Sequence, residues 1–188
     1  MALGHNDLKK RVKILIDGDP HVIVESDFVK PGKGQAFTKV KVRNMLNGKI
    51  FEKTYKSNES AEETSVNFSS MDYLYNDGTM FSFMDMETFE QYEVEKSVLA
   101  GADKFLLENT KCEIAMWEGR IIEVTPPNFM VLQVVEAPPG LKGDTAGGKV
   151  LRPAKLETGA EVQIPLFVEE GEKIKVDTRT GEYVERAK

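Results

Sequence analysis

The chain's most informative reactive group is a lysine amine. Val29-Lys30-Pro31-Gly32-Lys33-Gly34-Gln35-Ala36-Phe37 sets Lys33 between two glycines, at what reads as the tip of a β-hairpin. Glycine tolerates positive φ and carries no side chain, so the turn can be narrow while Lys33 projects beyond it. Pro31 fixes its own φ and biases Lys30 toward an extended conformation, which stiffens the approach. The chemistry this favours is presentation of a cationic side chain inside a cleft that a bulkier hairpin could not enter. On loop composition alone, a solvated hairpin lysine is the ordinary reading.

Groups for conventional catalysis are scarce. The two histidines are His5, in what reads as a loose terminus, and His21, just after a turn, so a Ser-His-acid or Cys-His arrangement is poorly supplied and no catalytic residue is assigned. Paired Cys or His at metal-ligand spacing is absent from the sequence, so no metal is expected. The single Cys112 cannot form an internal disulfide and reads as a small packed hydrophobe. Asp85, Glu87 and the acidic residues from Glu90 to Glu95 read as a solvated face. Gly143-Asp144-Thr145-Ala146-Gly147-Gly148-Lys149 matches the spacing of a phosphate-binding Walker A loop, but Val150 stands where a Ser or Thr hydroxyl would hold magnesium. Pro138-Pro139 before it and Pro153 after it deny the loop its strand and helix. A polar loop of this kind, with free backbone donors, could instead touch RNA phosphates or bases.

The elements that must position these groups are strands. Period-two alternation rich in β-branched residues marks Val12 to Ile16, Val22 to Val24, Lys39 to Arg43, Met80 to Met84, Glu113 to Trp117, Arg120 to Val124, Val131 to Val135, Glu161 to Val168 and Lys173 to Val176. Asp17-Gly18, Asn47-Gly48, Asp77-Gly78, Glu118-Gly119 and Thr180-Gly181 supply tight turns between them. Regular strand and turn spacing of this kind predicts small barrels or sandwiches. One short helix is expected within Val94 to Leu107, with Gly101 weakening its centre. The polar stretch Ser57 to Ser65 suits a linker, and the double proline in Thr125-Pro126-Pro127-Asn128 interrupts two strand patterns. These breaks divide the 188 residues into modules at 1–64, 65–127 and 128–188.

Composition fits an ordinary water-exposed protein, with 40% hydrophobic and 30% charged residues and no apolar run long enough to span a membrane. The first seven residues lack the basic-then-apolar pattern of a signal peptide, so a cytoplasmic location is expected. A net charge of −6 argues at first against nucleic acid, but its distribution reverses the argument. Basic residues outnumber acidic ones by 12 to 9 in residues 1–64, are outnumbered 4 to 12 in 65–127, and nearly balance at 9 to 10 in 128–188. Positive charge thus gathers around the Lys33 hairpin, with Lys9, Lys10, Arg11, Lys13, Lys30, Lys39, Lys41 and Arg43 available. A basic end can meet RNA while an acidic middle discourages indiscriminate binding.

The Lys33 loop resembles that of bacterial translation elongation factor P. The resemblance continues in order through Glu52 to Ser57, Tyr73 to Gly78, Glu87 to Gln91, Val124 to Phe129, Gly140 to Ala146 and Val176 to Val184. It implies an all-β chain of three small barrels, an SH3-like (KOW-type) barrel followed by two OB-fold barrels, in an elongated L resembling a transfer RNA. It implies a monomer with no membrane, whose partners are the 70S ribosome, the P-site peptidyl-tRNA, ribosomal RNA and a lysine-modifying ligase. The implied activity is relief of stalling at consecutive prolines. Lys33 would carry a covalent modification, in this family most often β-lysyl, as the chain's only added group. Lys30, Pro31, Gly32, Gly34 and Gln35 would shape the tip. Gly143, Asp144 and Thr145 would lie near the messenger and the anticodon region. Two departures stand out: Arg11 replaces a common glycine, and Lys149 to Lys155 departs from the usual Lys-Pro-Ala-Thr ending. A general OB-fold binder of single-stranded nucleic acid is the alternative, and would need aromatic platforms on a basic face, whereas Phe81, Phe83 and Phe89 sit in the acidic middle and read as core. A small hydrolase using the carboxylates of residues 85–95 is the other class considered.

Overall fold

Turn residues with left-handed backbone set the frame of the first sheet. In the computed structural model, which describes residues 1–139 and 150–187, Asp17 and Gly18 have φ of 55° and 85°. This pair joins β2 (Lys13–Ile16) to β3 (Asp19–Val29), because two successive positive φ values match the twist of a two-residue hairpin. Around this hairpin lie β1 (Ala2–Gly4), β4 (Phe37–Asn44), β5 (Ile50–Lys56) and β6 (Ser60–Glu63). They form a six-stranded sheet in the order β1-β6-β2-β3-β4-β5. Ile14, Ile23, Val40 and Val42 fill its interior with at most 1% of their surface exposed, and Leu8 and Tyr55 join them.

The second sheet has the order β11-β10-β7-β8-β9, built from β7 (Asn67–Asn76), β8 (Met80–Asp85), β9 (Gln91–Glu95), β10 (Lys111–Trp117) and β11 (Arg120–Thr125). Glu118 and Gly119 turn β10 into β11 with positive φ at both residues. The third sheet consists of β12 (Phe129–Glu136), β13 (Leu151–Leu156), β14 (Glu161–Pro165), β15 (Lys173–Asp177) and β16 (Glu182–Arg186), in the order β14-β13-β12-β15-β16. Its outer strands β14 and β16 also touch, curling the sheet into a barrel around Leu132, Val134, Leu156, Ile164 and Ile174. The chain gathers into two compact units, Met1–Ser69 with Ile114–Glu123, and Ser70–Glu113 with Val124–Lys188.

Several expectations are corrected. The polar stretch 57–65 is not simply a linker, because Ser60–Glu63 forms β6 between β1 and β2. One buried methyl group, Ala61, is enough to seat it against the core while its glutamates stay exposed. The single helix expected within residues 94–107 is divided among three elements: the end of β9, the one-turn α1 (Lys96–Leu99) and a 3-10 turn at Ala102–Phe105. Ala100 and Gly101, with φ of 49° and 96°, break the α-helical path. Phe89 is not core but 68% exposed. It holds φ of 60° in the turn between β8 and β9, where its amide donates to the Asp85 carbonyl and its side chain is turned away from the sheet. The strand expected to run from Glu161 to Val168 ends at Pro165, and the next two residues are exposed before Val168 re-enters the core.

Candidate functional site

The Lys33 loop is carried by the long hairpin of β3 and β4. The strands pair antiparallel from His21↔Asn44 to Val29↔Phe37, so residues 30–36 form the tip. Support for the two arms is unequal. On one side β5 pairs with β4 as far as Phe37↔Lys56. On the other, β2 pairs with β3 only between Asp19 and Val22, with Val12 and Arg11 bonded to Ile23 just beyond, so that among the described residues no strand flanks the distal half of β3 on that side. A register shift between Ile23 and Glu25 marks a bulge where the hairpin leaves the sheet, a feature that bends and further twists a strand.

At the tip, Lys30, Gly32, Lys33, Gly34 and Gln35 are exposed and Pro31 is half-buried. The two glycines do different work. Gly34 has φ of 121°, a conformation L side chains rarely adopt, and a Cβ built there would lie an ordinary 3.8 Å from the Pro31 Cγ. Gly32 is not in the positive-φ region, and an added Cβ would meet nothing within 4 Å. Backbone freedom is therefore required on the C-terminal side of Lys33 and not on its N-terminal side.

The basic cluster is unevenly committed. Lys41 lies 3.6 Å from Glu25 and Arg43 lies 3.8 Å from Glu123, and the Lys13 ammonium sits 5.0 Å from the Phe68 ring centroid. Among the described residues no ion pair engages Lys9, Lys10, Arg11, Lys30, Lys33 or Lys39. Beside the tip, Gln35, Phe37, Lys39, Thr54 and Lys56 line a shallow groove. Phe37 faces Lys56 across the strands and Lys39 faces Thr54, so an aromatic surface lies between two amines.

A brace that the sequence did not reveal lies under the hairpin. The N-terminus is not loose at His5: a 3-10 turn, His5–Asp7, closes with Asp7 Oδ2 accepting from the Gly4 amide at 3.1 Å. The buried Thr38 hydroxyl on β4 donates to the His5 carbonyl at 2.8 Å. Ser26 on β3 donates to the Leu8 carbonyl at 2.5 Å. The His5 ring lies 5.9 Å from that of Phe28, and the Leu8 side chain is inside the core. Only the apolar Leu8 and the capping residue Asp7 hinted in the sequence that this segment docks.

Elsewhere the reactive groups are engaged in structure. His21 is 3% exposed, with Nδ1 3.0 Å from the Asp19 carbonyl and its ring edge-on to Phe51. Cys112 is buried, and burial, reinforced by the Asp72 carboxylate, pushes its thiol up to about 12, so it is not poised as a nucleophile. The carboxylates of residues 85–95 include turn ligands: Asp85 accepts from the Glu87 amide at 2.8 Å, and Glu90 from the Tyr92 hydroxyl at 2.7 Å. Phe81 and Phe83 are buried and present no stacking surface. A broad cleft in the second unit lies between the residue 96–105 segment and the turns at 158–161 and 178–181, and neither His nor Cys lines it. Its Asp103 is ion-paired with Lys96 at 3.1 Å. Among the described residues no cluster of His, Cys, Asp and Glu is placed to hold a metal, and no helix is long and apolar enough to cross a membrane. Gly143, Asp144 and Thr145 lie outside the described residues.

Comparison with known proteins accounts for nearly the whole chain. Residues 5–61 match the elongation factor P KOW-like domain, 66–124 the elongation factor P OB domain, and 130–186 the C-terminal domain of elongation factor P. A curated relative, elongation factor P of Magnetococcus marinus, is 49% identical over 186 residues, covering 99% of each chain. Two solved structures share the fold. Eukaryotic translation initiation factor 5A from Methanococcus jannaschii aligns with a TM-score of 0.57 at 24% identity, over 67% of this chain and 92% of its own. A translation initiation factor 5A family protein from Naegleria fowleri aligns at 0.51 and 18%, over 66% and 97%.

Proposed function

This chain belongs to the elongation factor P family, and from that premise we propose that it binds the ribosome beside the P-site tRNA and stimulates peptide-bond formation at consecutive prolines through a modified Lys33. Membership makes it a translation elongation factor and not an enzyme of the usual kind. The observation that carries the finer reading is the exposed Lys33 at the end of an extended hairpin, with no ion-pair partner among the described residues.

The proposed mechanism is alignment. Proline is a poor nucleophile with a constrained backbone, so the slow step is limited by the geometry of the reacting ends. Holding reactants in register can remove several kcal/mol, up to about 7–11, from a barrier. A cation reaching the CCA end of the peptidyl-tRNA lowers that cost without transferring a proton. Modification of Lys33, with a β-lysyl group as the proposed addition and a dedicated ligase as the partner, lengthens the reach and keeps positive charge. Lys30, Pro31, Gly32, Gly34 and Gln35 shape the tip. Lys9, Lys10, Arg11 and Lys39, which have no ion pair among the described residues, supply phosphate contacts, and the Phe37 groove between Lys39 and Lys56 suits a nucleotide. By resemblance, Gly143, Asp144 and Thr145 contact RNA at the small subunit.

The test is synthesis of a triproline-containing peptide by purified ribosomes with no factor, with the protein isolated from its own host, and with Lys33→Ala. Acceleration by the native protein alone is the expected result, with the mass of the Lys33 peptide identifying the added group. No acceleration from folded, modified protein overturns the reading.

A further inference from the structure

Resting on the reading of Lys33 as the working group, we propose that Ser26 and Thr38 are positioning residues. Their hydroxyls tie the two arms of the hairpin to the N-terminal turn and thereby aim Lys33. The hairpin needs such a tie because its arms are unequally supported. Beyond Ile23, whose amide and carbonyl still pair with Val12 and Arg11, no strand flanks the β3 arm on that side among the described residues, and the bulge between Ile23 and Glu25 is a natural pivot. The segment 5–8 takes the place of the missing strand. It uses main-chain carbonyls at the two ends of the turn, one for each arm: His5 receives Thr38 and Leu8 receives Ser26. Ser26 and Val40 are cross-strand partners, as are Phe28 and Thr38, with only Asp27↔Lys39 between them, so the two ties grip the ladder two residues apart. Leu8, 1% exposed, anchors the segment in the core, and the His5 ring against Phe28 extends the contact toward the tip.

The lever makes these contacts consequential. Lys33 is five residues from Thr38, a reach of about 17 Å at roughly 3.4 Å per residue. A pivot of about 10° at the brace would therefore move the tip by about 3 Å, where misplacement by 1 Å can cost about a hundredfold in a reaction governed by alignment.

Two measurements on the full chain test this. The first places spin labels at Lys33→Cys and Lys49→Cys, the latter in the exposed turn at the opposite end of β4, with Cys112→Ala to leave two thiols, and reads the distance distribution between them. Adding Ser26→Ala and Thr38→Val should at least double its width, whereas Thr38→Ser with Ser26 intact should keep it narrow. An unchanged width in the double variant overturns the brace. The second returns to the chain with Lys33 and measures triproline synthesis against factor concentration. Ser26→Ala/Thr38→Val should lower the maximal stimulation about tenfold or more at an unchanged half-saturating concentration, and Thr38→Ser should retain it. A matching loss of thermal stability and of apparent affinity would instead mean a purely structural role and overturn the proposal. If the unsubstituted protein itself fails to stimulate, the Lys33 reading falls, and the label distances still decide whether the brace holds the hairpin.

Discussion

Gly32 and Gly34 flank the same lysine, yet they should respond differently to alanine. At Gly34, φ of 121° places an L side chain in a region where strain costs about 1–3 kcal/mol. The tip is exposed and the nearest steric contact of a new Cβ is an ordinary one, so that strain will be released by a change of loop conformation and not by unfolding. With a factor of about five for each kcal/mol, the working conformation of Gly34→Ala falls about five- to a hundredfold in population. At Gly32 the backbone needs no glycine and a methyl group meets open space, so Gly32→Ala should keep stimulation within about twofold. Both variants should melt with the parent protein, because substitutions at exposed positions of this kind usually change stability by about 0.5 kcal/mol or less. The assay is triproline synthesis with the Lys33 peptide mass compared across variants, so that a failure of modification is seen directly. Equal, severe losses at both positions would refute the argument: the glycines would then serve close approach to RNA on both sides of Lys33, and backbone conformation would not be the cause.

The other predictions concern stability and titration. Arg11 is exposed with φ of 74°, held there by its amide donating to the Ile23 carbonyl at 2.7 Å. A left-handed L residue costs about 1–2 kcal/mol and glycine returns about 0.5–1 through its unfolded-state entropy, so Arg11→Gly should stabilise by about 0.5–1 kcal/mol in denaturant unfolding, while Arg11→Ala should gain less. A gain as large in Arg11→Ala would assign the effect to charge. Two side-chain hydrogen bonds from Arg179 and one from its amide hold Asp177 down to about 2. Since the folded value is depressed, this contribution is complete above the ordinary carboxylate range and disappears as pH falls through about 2; carboxyl NMR should show Arg179→Ala moving the Asp177 titration upward. Cys112, with its thiol raised by burial, should resist a soluble disulfide reagent at pH 8 in the native protein and react on denaturation. Rapid native labelling would show that the second sheet opens.

Much of the fold was legible because alternation is a local signal. The runs at Lys39 to Arg43, Arg120 to Val124 and Lys173 to Val176 each lie inside an observed strand, and Asp17-Gly18 and Glu118-Gly119 adopt the paired positive φ that such dipeptides favour. What failed was nonlocal. β6 is polar along nearly its whole length, and only its place between β1 and β2 makes it a strand. The residues 94–107 offered an apolar face at helical spacing, and those side chains are indeed mostly buried. They reach the interior from a strand end, a single α turn and a 3-10 turn, because the left-handed pair at Ala100 and Gly101 redirects the chain. Phe89 illustrates the converse, an aromatic whose type suggested core and whose turn geometry exposes it.

The candidate site divides along the same line. That Lys33 stands on an exposed hairpin tip could be read from its neighbours, because proline and glycine announce their backbone consequences in sequence, whereas the role proposed for it came from the family resemblance. The residues that hold the hairpin could not, since Ser26 and Thr38 are ordinary strand residues and their partners are main-chain carbonyls of His5 and Leu8, which carry no sequence code. Charge counting had a similar limit. It placed a basic excess in the first third of the chain, but the pairs Lys41–Glu25 and Arg43–Glu123 neutralise part of the hairpin's far end. Among the described residues, Lys30, Lys33 and Lys39, at and beside the tip, have no ion pair. An RNA partner would thus meet free positive charge at the tip itself and on the neighbouring N-terminal segment, while the acidic middle of the chain disfavours tight nonspecific binding.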